Sequence, residues 1–198
     1  MNVFDYSEEE LRLLAENTYR TLAETISGTE AVLCIQKALQ QFTIYDLQTI
    51  GANIRFDVEK LPEPYRSRYR PYSTDLLDKY HEFFSTVRTG CSFEITDTAL
   101  WKEYWQTASE QILIPDTDEN SLRPCSGSPA GKLFYRLVFG YVMLIAGKPG
   151  HPVGTPFPGG WKVREENGVI VCPIRDKEKD LPQALCNFCP AVQDEEYK

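Results

Sequence analysis

SPAGKLFYRLVFGYVMLIA, from Ser128 to Ala146, is apolar on nearly every side of a helix. A surface helix keeps a polar face, so a helix apolar all round belongs at the centre of a protein. Ser128 is a good N-cap, and Pro129 stands at the first helical position, where its missing amide costs nothing. Gly147, Lys148, Pro149 and Gly150 end the helix. The apolar run from Leu133 to Gly147 is interrupted by Arg136 and is too short to span a bilayer, which argues for a buried helix and against membrane insertion. The preceding Ser126-Gly127-Ser128-Pro129-Ala130-Gly131-Lys132-Leu133 is only superficially a phosphate loop. Its glycine spacing is one residue short, Leu133 replaces the magnesium-binding hydroxyl, and no strand precedes it.

Toward the N-terminus the pattern predicts more helices separated by short breaks. Ser7 to Glu10 reads as a capping box, followed by Leu11, Leu14, Ala15, Leu22 and Ile26 at helical spacing, with a stop at Ser27 and Gly28. Thr29 opens a second helix with the stripe Val32, Ile35, Leu39 and Phe42. Thr43 caps a third, carrying Ile44, Leu47, Gly51, Ile54, Val58 and Leu61. Pro62, Pro64 and Pro71 break the next stretch. The alternating Arg and Tyr between Tyr65 and Tyr72 could stack on bases, but the overall charge favours a connector between helices. Ser73 is read as the cap of a helix whose inward side is Leu76, Leu77, Tyr80, Phe83, Phe84 and Val87, ended by Gly90. Thr96 or Asp97 caps another, with Leu100, Trp101, Tyr104, Trp105, Ala108 and Ile112 on its face. Residues 115–131 read as a long polar loop containing Cys125. Asp116, Asp118 and Glu119 in it lack the spacing of a calcium loop. The fold class expected is mainly α: a bundle of about six helices with a C-terminal β-hairpin and a cysteine-containing tail.

Toward the C-terminus, Asn167-Gly168 is a strong signal for a type I′ turn, because both central residues need positive φ. A two-residue loop there pairs Glu166 with Val169, Val163 with Cys172, and Trp161 with Ile174. Alternation along the strands places Cys172 on the apolar face with Trp161, Val163, Ile170 and Ile174. The expected division is a helical region over 1–150 and a hairpin with cysteine-rich tail over 151–198, packed as one folding unit.

That tail holds the candidate chemistry. Cys186 and Cys189 are spaced so that two sulfurs reach one ion, and Cys172 arrives at a strand end. Zinc takes four N or S ligands, or three and a water at an open site, whereas an iron–sulfur cluster wants four thiolates. The fourth ligand is left between His151, which suits zinc, and Cys125, which suits either. Against this stands the reading of free cysteines as small buried hydrophobes, the reading given to Cys34 and Cys91. His151, between Pro149-Gly150 and Pro152, is a ligand, a general base or a hydrogen-bonded strut. His81, beside the apolar stripe of its helix, is structural or exposed.

The 198 residues make one domain, or one with a small appendage, and suffice to bury a core. With 42% hydrophobic and 25% charged residues the composition is that of a globular protein. A net charge of −8 opposes non-specific attraction to nucleic acid or anionic membrane. No secretory signal opens the chain, so a cytoplasmic location is expected, where clustered cysteines more often hold metal than form disulfides.

HPVGTPFPGGWKV from His151 to Val163, Cys172-Pro173-Ile174 and Cys186-x-x-Cys189-Pro190 resemble an uncharacterised protein family of archaea, chiefly methanogens. The resemblance lies in the C-terminal quarter and implies an archaeal cytoplasmic protein; it carries no activity across. An anaerobic host would ease the upkeep of an iron–sulfur cluster. Three functions stay open: a structural zinc-binding module, an iron–sulfur redox protein or metalloenzyme, and a helical protein that binds protein partners with incidental cysteines.

Overall fold

The structure is a computed structural model describing residues 2–111 and 128–197. It is mainly helical, with a small C-terminal sheet. Six long helices are present among the described residues: α1 (Glu8–Glu24), α2 (Gly28–Leu39), α3 (Ile44–Glu59), α5 (Asp75–Arg88), α6 (Thr98–Gln111) and α7 (Pro129–Leu144), with the single turn α4 (Tyr65–Tyr69) in the arginine–tyrosine connector. No helix among them is long and apolar enough to cross a membrane.

The caps follow the sequence closely. Ser7 and Glu10 form the expected capping box at α1, and Thr43 forms another with Asp46 at α3. Asp46 is 1% exposed, because its second oxygen also accepts the backbone N–H of Phe4. Asp97 accepts the amide of Leu100 at the start of α6. Ser128 caps α7 through Gly131, with Pro129 in the first turn, as expected of a plain helix start. Two boundaries differ. α1 ends at Glu24, so Ile26 lies outside it and is exposed, and Ser27 caps α2 through Glu30. Thr74, not Ser73, stands before α5, and it makes no side-chain cap bond there. The expected stripe residue Ile112 lies outside the described residues.

α7 is the axis of the bundle, contacting α1, α2, α5 and α6. From Ala130 to Leu144 every residue is buried except Lys132, Tyr135 and Arg136, which are half-buried. α6 approaches it through large rings. A Cβ added to Gly140 would stand 2.5 Å from the indole of Trp105, so that ring fills the space a side chain would need. Trp101, Tyr104, Trp105, Tyr19, Phe83 and Phe134 are all buried in the same cluster. α3 buries Ile50, Gly51, Ile54 and Val58 but leaves Ile44 exposed, a correction to its expected stripe.

The sheet is shorter and more folded than a plain hairpin. β1 (Arg164–Glu166) and β2 (Val169–Cys172) pair antiparallel in the expected register, Glu166 opposite Val169 and Arg164 opposite Val171. Asn167 and Gly168 take φ of 53° and 81°, as the type I′ turn requires. The ladder then stops. Val163 pairs back with Thr155, donating its N–H to the Thr155 carbonyl at 3.0 Å, and Phe157 donates to the Trp161 carbonyl at 2.7 Å. The Pro158–Gly160 turn therefore folds the approach to β1 onto itself, replacing the expected pairings of Val163 with Cys172 and Trp161 with Ile174. The opposite edge of β2 takes β3 (Val192–Gln193) in parallel, Val171 opposite Val192.

Candidate functional site

Cys172 ends β2 and is 6% exposed, on the apolar face that alternation assigned to it. It belongs to a small second core with Phe157, Val163 and Ala191. The chain turns at Pro173, and the backbone amide of Arg175 donates to the Cys172 carbonyl at 3.4 Å. Cys186 lies in a 3-10 turn over Leu185–Phe188, closed by the Cys189 amide donating to the Cys186 carbonyl at 3.1 Å. The Cys189 sulfur accepts the Gly150 amide at 3.4 Å and touches both the helical core and the small core. Between the two cysteines, Phe188 inserts into the helical core, edge-on to Tyr104 with centroids 5.1 Å apart. Arg175 ties the turn together, donating to the carbonyls of Cys189 at 3.2 Å and Asn187 at 3.4 Å.

The three cysteines thus occupy one neighbourhood, and their charges would interact. Burial raises Cys172 above the usual thiol range; the Ile174 amide opposes this and the Cys189 sulfur adds to it. Burial pushes Cys186 up to about 12, with Glu178, Cys172 and Cys189 adding to the rise and Arg175 opposing it. A thiolate costs free energy wherever water is excluded unless donors or a cation stabilise it. All three are free cysteines. As the side chains stand, no group of three His, Cys, Asp or Glu converges tightly enough to hold a metal ion among the described residues. Cys125 lies outside the described residues.

His151 follows the glycine that bonds Cys189. Its ring meets Phe157 edge-on at 5.4 Å, which connects it to the small core around Cys172. Burial lowers its pKa to about 4, and the Lys79 ammonium lowers it further. The imidazole is therefore neutral at physiological pH, the form a metal ligand or general base needs. Of the other thiols, Cys34 is half-buried against the helical core as expected, while Cys91 is exposed beside Thr89, a correction to its reading as a buried hydrophobe. His81 is exposed.

Sequence reasoning missed Lys79 and Asp75. Lys79 is 9% exposed and forms an ion pair with Asp75 one helical turn earlier. Burial raises the Asp75 carboxyl, and Lys79 opposes the shift. The Lys79 ammonium lies 5.7 Å from the centre of the Phe139 ring on α7. The signal was present: Lys79 falls between Leu76 and Phe83 on the apolar side of α5, with an acid four residues before it.

The comparisons with known proteins agree with the resemblance to an uncharacterised family of archaea, with relatives in methanogens. A UPF0305 protein of Methanothermobacter thermautotrophicus is 28% identical over 161 residues, 81% of this chain and 92% of the relative. A UPF0305 protein of Methanocaldococcus jannaschii is 27% identical over 171 residues, 83% of this chain and 94% of the relative. One of Methanopyrus kandleri reaches 41% identity over 73 residues, 37% of this chain and 51% of the relative. No solved structure matches the chain. Residues 28–194 match the family described as an uncharacterized protein conserved in archaea, DUF2115, and the chain belongs to that family.

Proposed function

We propose that this is a metal-binding protein in which Cys172, Cys186 and Cys189 hold one soft divalent cation, zinc by preference, with His151 as the fourth ligand. The observation that carries the reading is the packing of Cys172 and Cys189 about one small core, with the Gly150 amide donating to the Cys189 sulfur at 3.4 Å. A thiol is a weak acceptor and gains little from such a donor, whereas a thiolate gains a charge-assisted bond. Zinc accepts sulfur and imidazole nitrogen in a tetrahedron, and a neutral His151 in the residue after Gly150 supplies the nitrogen. The ligands are not gathered in advance, so binding draws the side chains together. The free energy of coordination then becomes free energy of folding. Its structural consequence is a clamp, since the Cys186–Cys189 turn carries Phe188 into the helical core and Gly150 is the exit from α7.

Elemental analysis of the untagged protein tests this directly. The expected result is about one zinc per chain, the stoichiometry of a single four-ligand site. Iron with acid-labile sulfide would replace it with the iron–sulfur reading. No metal, with all three thiols alkylated freely in the folded state, would overturn metal binding altogether. Within a zinc-loaded protein, His151→Ala and Cys125→Ala discriminate the fourth ligand, because only the true ligand's loss weakens metal retention.

A further inference from the structure

Lys79 is a buried cation that a thiol-held metal does not use. It lines a cavity of about 220 Å³ between α5 and the C-terminal end of α7. Thr86 and Tyr141 add hydroxyls to the wall, and Phe93, Val142 and Ala146 add apolar surface. Glu82 and Lys148 complete the lining as an ion pair, both about half exposed, so they mark the solvent side while Lys79 marks the buried side. The lining carries two ammonium groups and one carboxylate; Lys148 is paired with Glu82, and Lys79 with Asp75 just outside the lining.

An ammonium donates three hydrogen bonds. Asp75 is the acceptor Lys79 meets among the described residues, which leaves donor capacity at a low-dielectric wall. Burying a cation there costs free energy that further hydrogen bonds to an anion would offset. At roughly 30 Å³ per water-sized group, the space admits a ligand of about seven heavy atoms. We propose that the cleft between α5 and α7 binds a small carboxylate with a short apolar body, its carboxylate on Lys79 and its body against Phe93, Val142 and Ala146. The site does not require zinc, although the Lys79 ammonium also acts on His151 across the intervening space.

Amide chemical shifts of the full-length protein, followed during titration with acetate, butyrate, hexanoate and decanoate, test the proposal against hexylammonium. The expected result is saturable shifts at Lys79, Thr86, Val142 and Ala146, with affinity rising to hexanoate and no further rise to decanoate. Lys79→Met should weaken hexanoate binding about tenfold or more, the worth of one hydrogen bond to a charged group. Ala146→Phe fills the cavity from a half-buried position and should abolish binding while Lys79 stays in place. Hexylammonium binding as tightly as hexanoate, hexanoate binding unchanged in both variants, or no saturable shift at these amides would overturn the proposal.

Discussion

Protonation at individual side chains would set when the proposed thiol site takes up a metal ion. Cys186 holds its proton to about 12 because burial and the acidic and sulfur neighbours disfavour its anion. A cation must therefore displace that proton, and uptake releases acid to the medium. Metal retention is expected to weaken as pH falls from about 8 to about 6, read as a falling chelator concentration for half-release. The metal-free protein should behave in the opposite sense at high pH. The unfolded thiol ionises near 9.0 and the folded one near 12, so stability is intact below 9.0 and declines as pH rises through that window. His151 governs the acid side. Its folded pKa of about 4 lies below the unfolded 6.5, so its contribution is complete above 6.5 and is lost as pH falls toward 4. The loss is up to about 3 kcal/mol. Denaturant melts of metal-free protein across this range measure it, and His151→Leu should flatten the acid limb; an unchanged limb would place the titration on another group.

At the scale of elements, the packing of α6 on α7 rests on one missing side chain. Gly140→Ala would drive a methyl group to 2.5 Å from Trp105, where only movement of a buried indole relieves it. The expected cost is about 1 to 3 kcal/mol, as for other overpacked cores. Gly51 on α3 is the contrast: its Cβ would meet Leu77 and Arg55 at 3.4 and 3.5 Å, ordinary contact. Gly51→Ala should stabilise by up to about 1 kcal/mol through helix propensity. Thermal melts of the two variants should move in opposite directions. The same comparison explains what the sequence made legible. α7 showed itself because burial on all sides demands apolar residues on all sides, and the capping boxes because their bonds are local. The Asn167-Gly168 turn was equally local. β3 was hidden because two residues after a proline carry no alternation, and only the edge of β2 away from β1 gives them a partner. Asp46 was hidden because a charged residue reads as solvent-facing until its buried partner is known, whereas Lys79 was marked by its place on the apolar side of α5. The Cys172 face followed from strand alternation, but the Gly150 amide that reaches the Cys189 sulfur comes from a turn that residue pattern alone does not specify.

For the molecule as a whole, the question is what fastens the tail to the helices. One fastening is present, a second is proposed, and the two are physically separable. One is the aromatic insertion of Phe188 against Tyr104, assisted by Arg136 donating to the Gln183 carbonyl at 2.8 Å. The other is the proposed metal clamp through Cys172, Cys186 and Cys189. Phe188→Ala removes a 3% exposed ring and should cost about 3 to 5 kcal/mol. That cost should persist after chelation, because the ring packs whether or not metal is bound. Cys189→Ala should behave differently: it should lower the thermal midpoint of the metal-loaded protein and release the metal in the same transition. Chelator should then lower the midpoint of the wild type but not of Cys189→Ala, since the variant has already lost what the chelator removes. Coupling of this kind is how a double-mutant cycle separates shared from independent contributions. If chelator and Cys189→Ala instead act additively, the sulfur serves packing between the two cores and the clamp has no basis. Differential scanning calorimetry on the four combinations of variant and chelator decides between them.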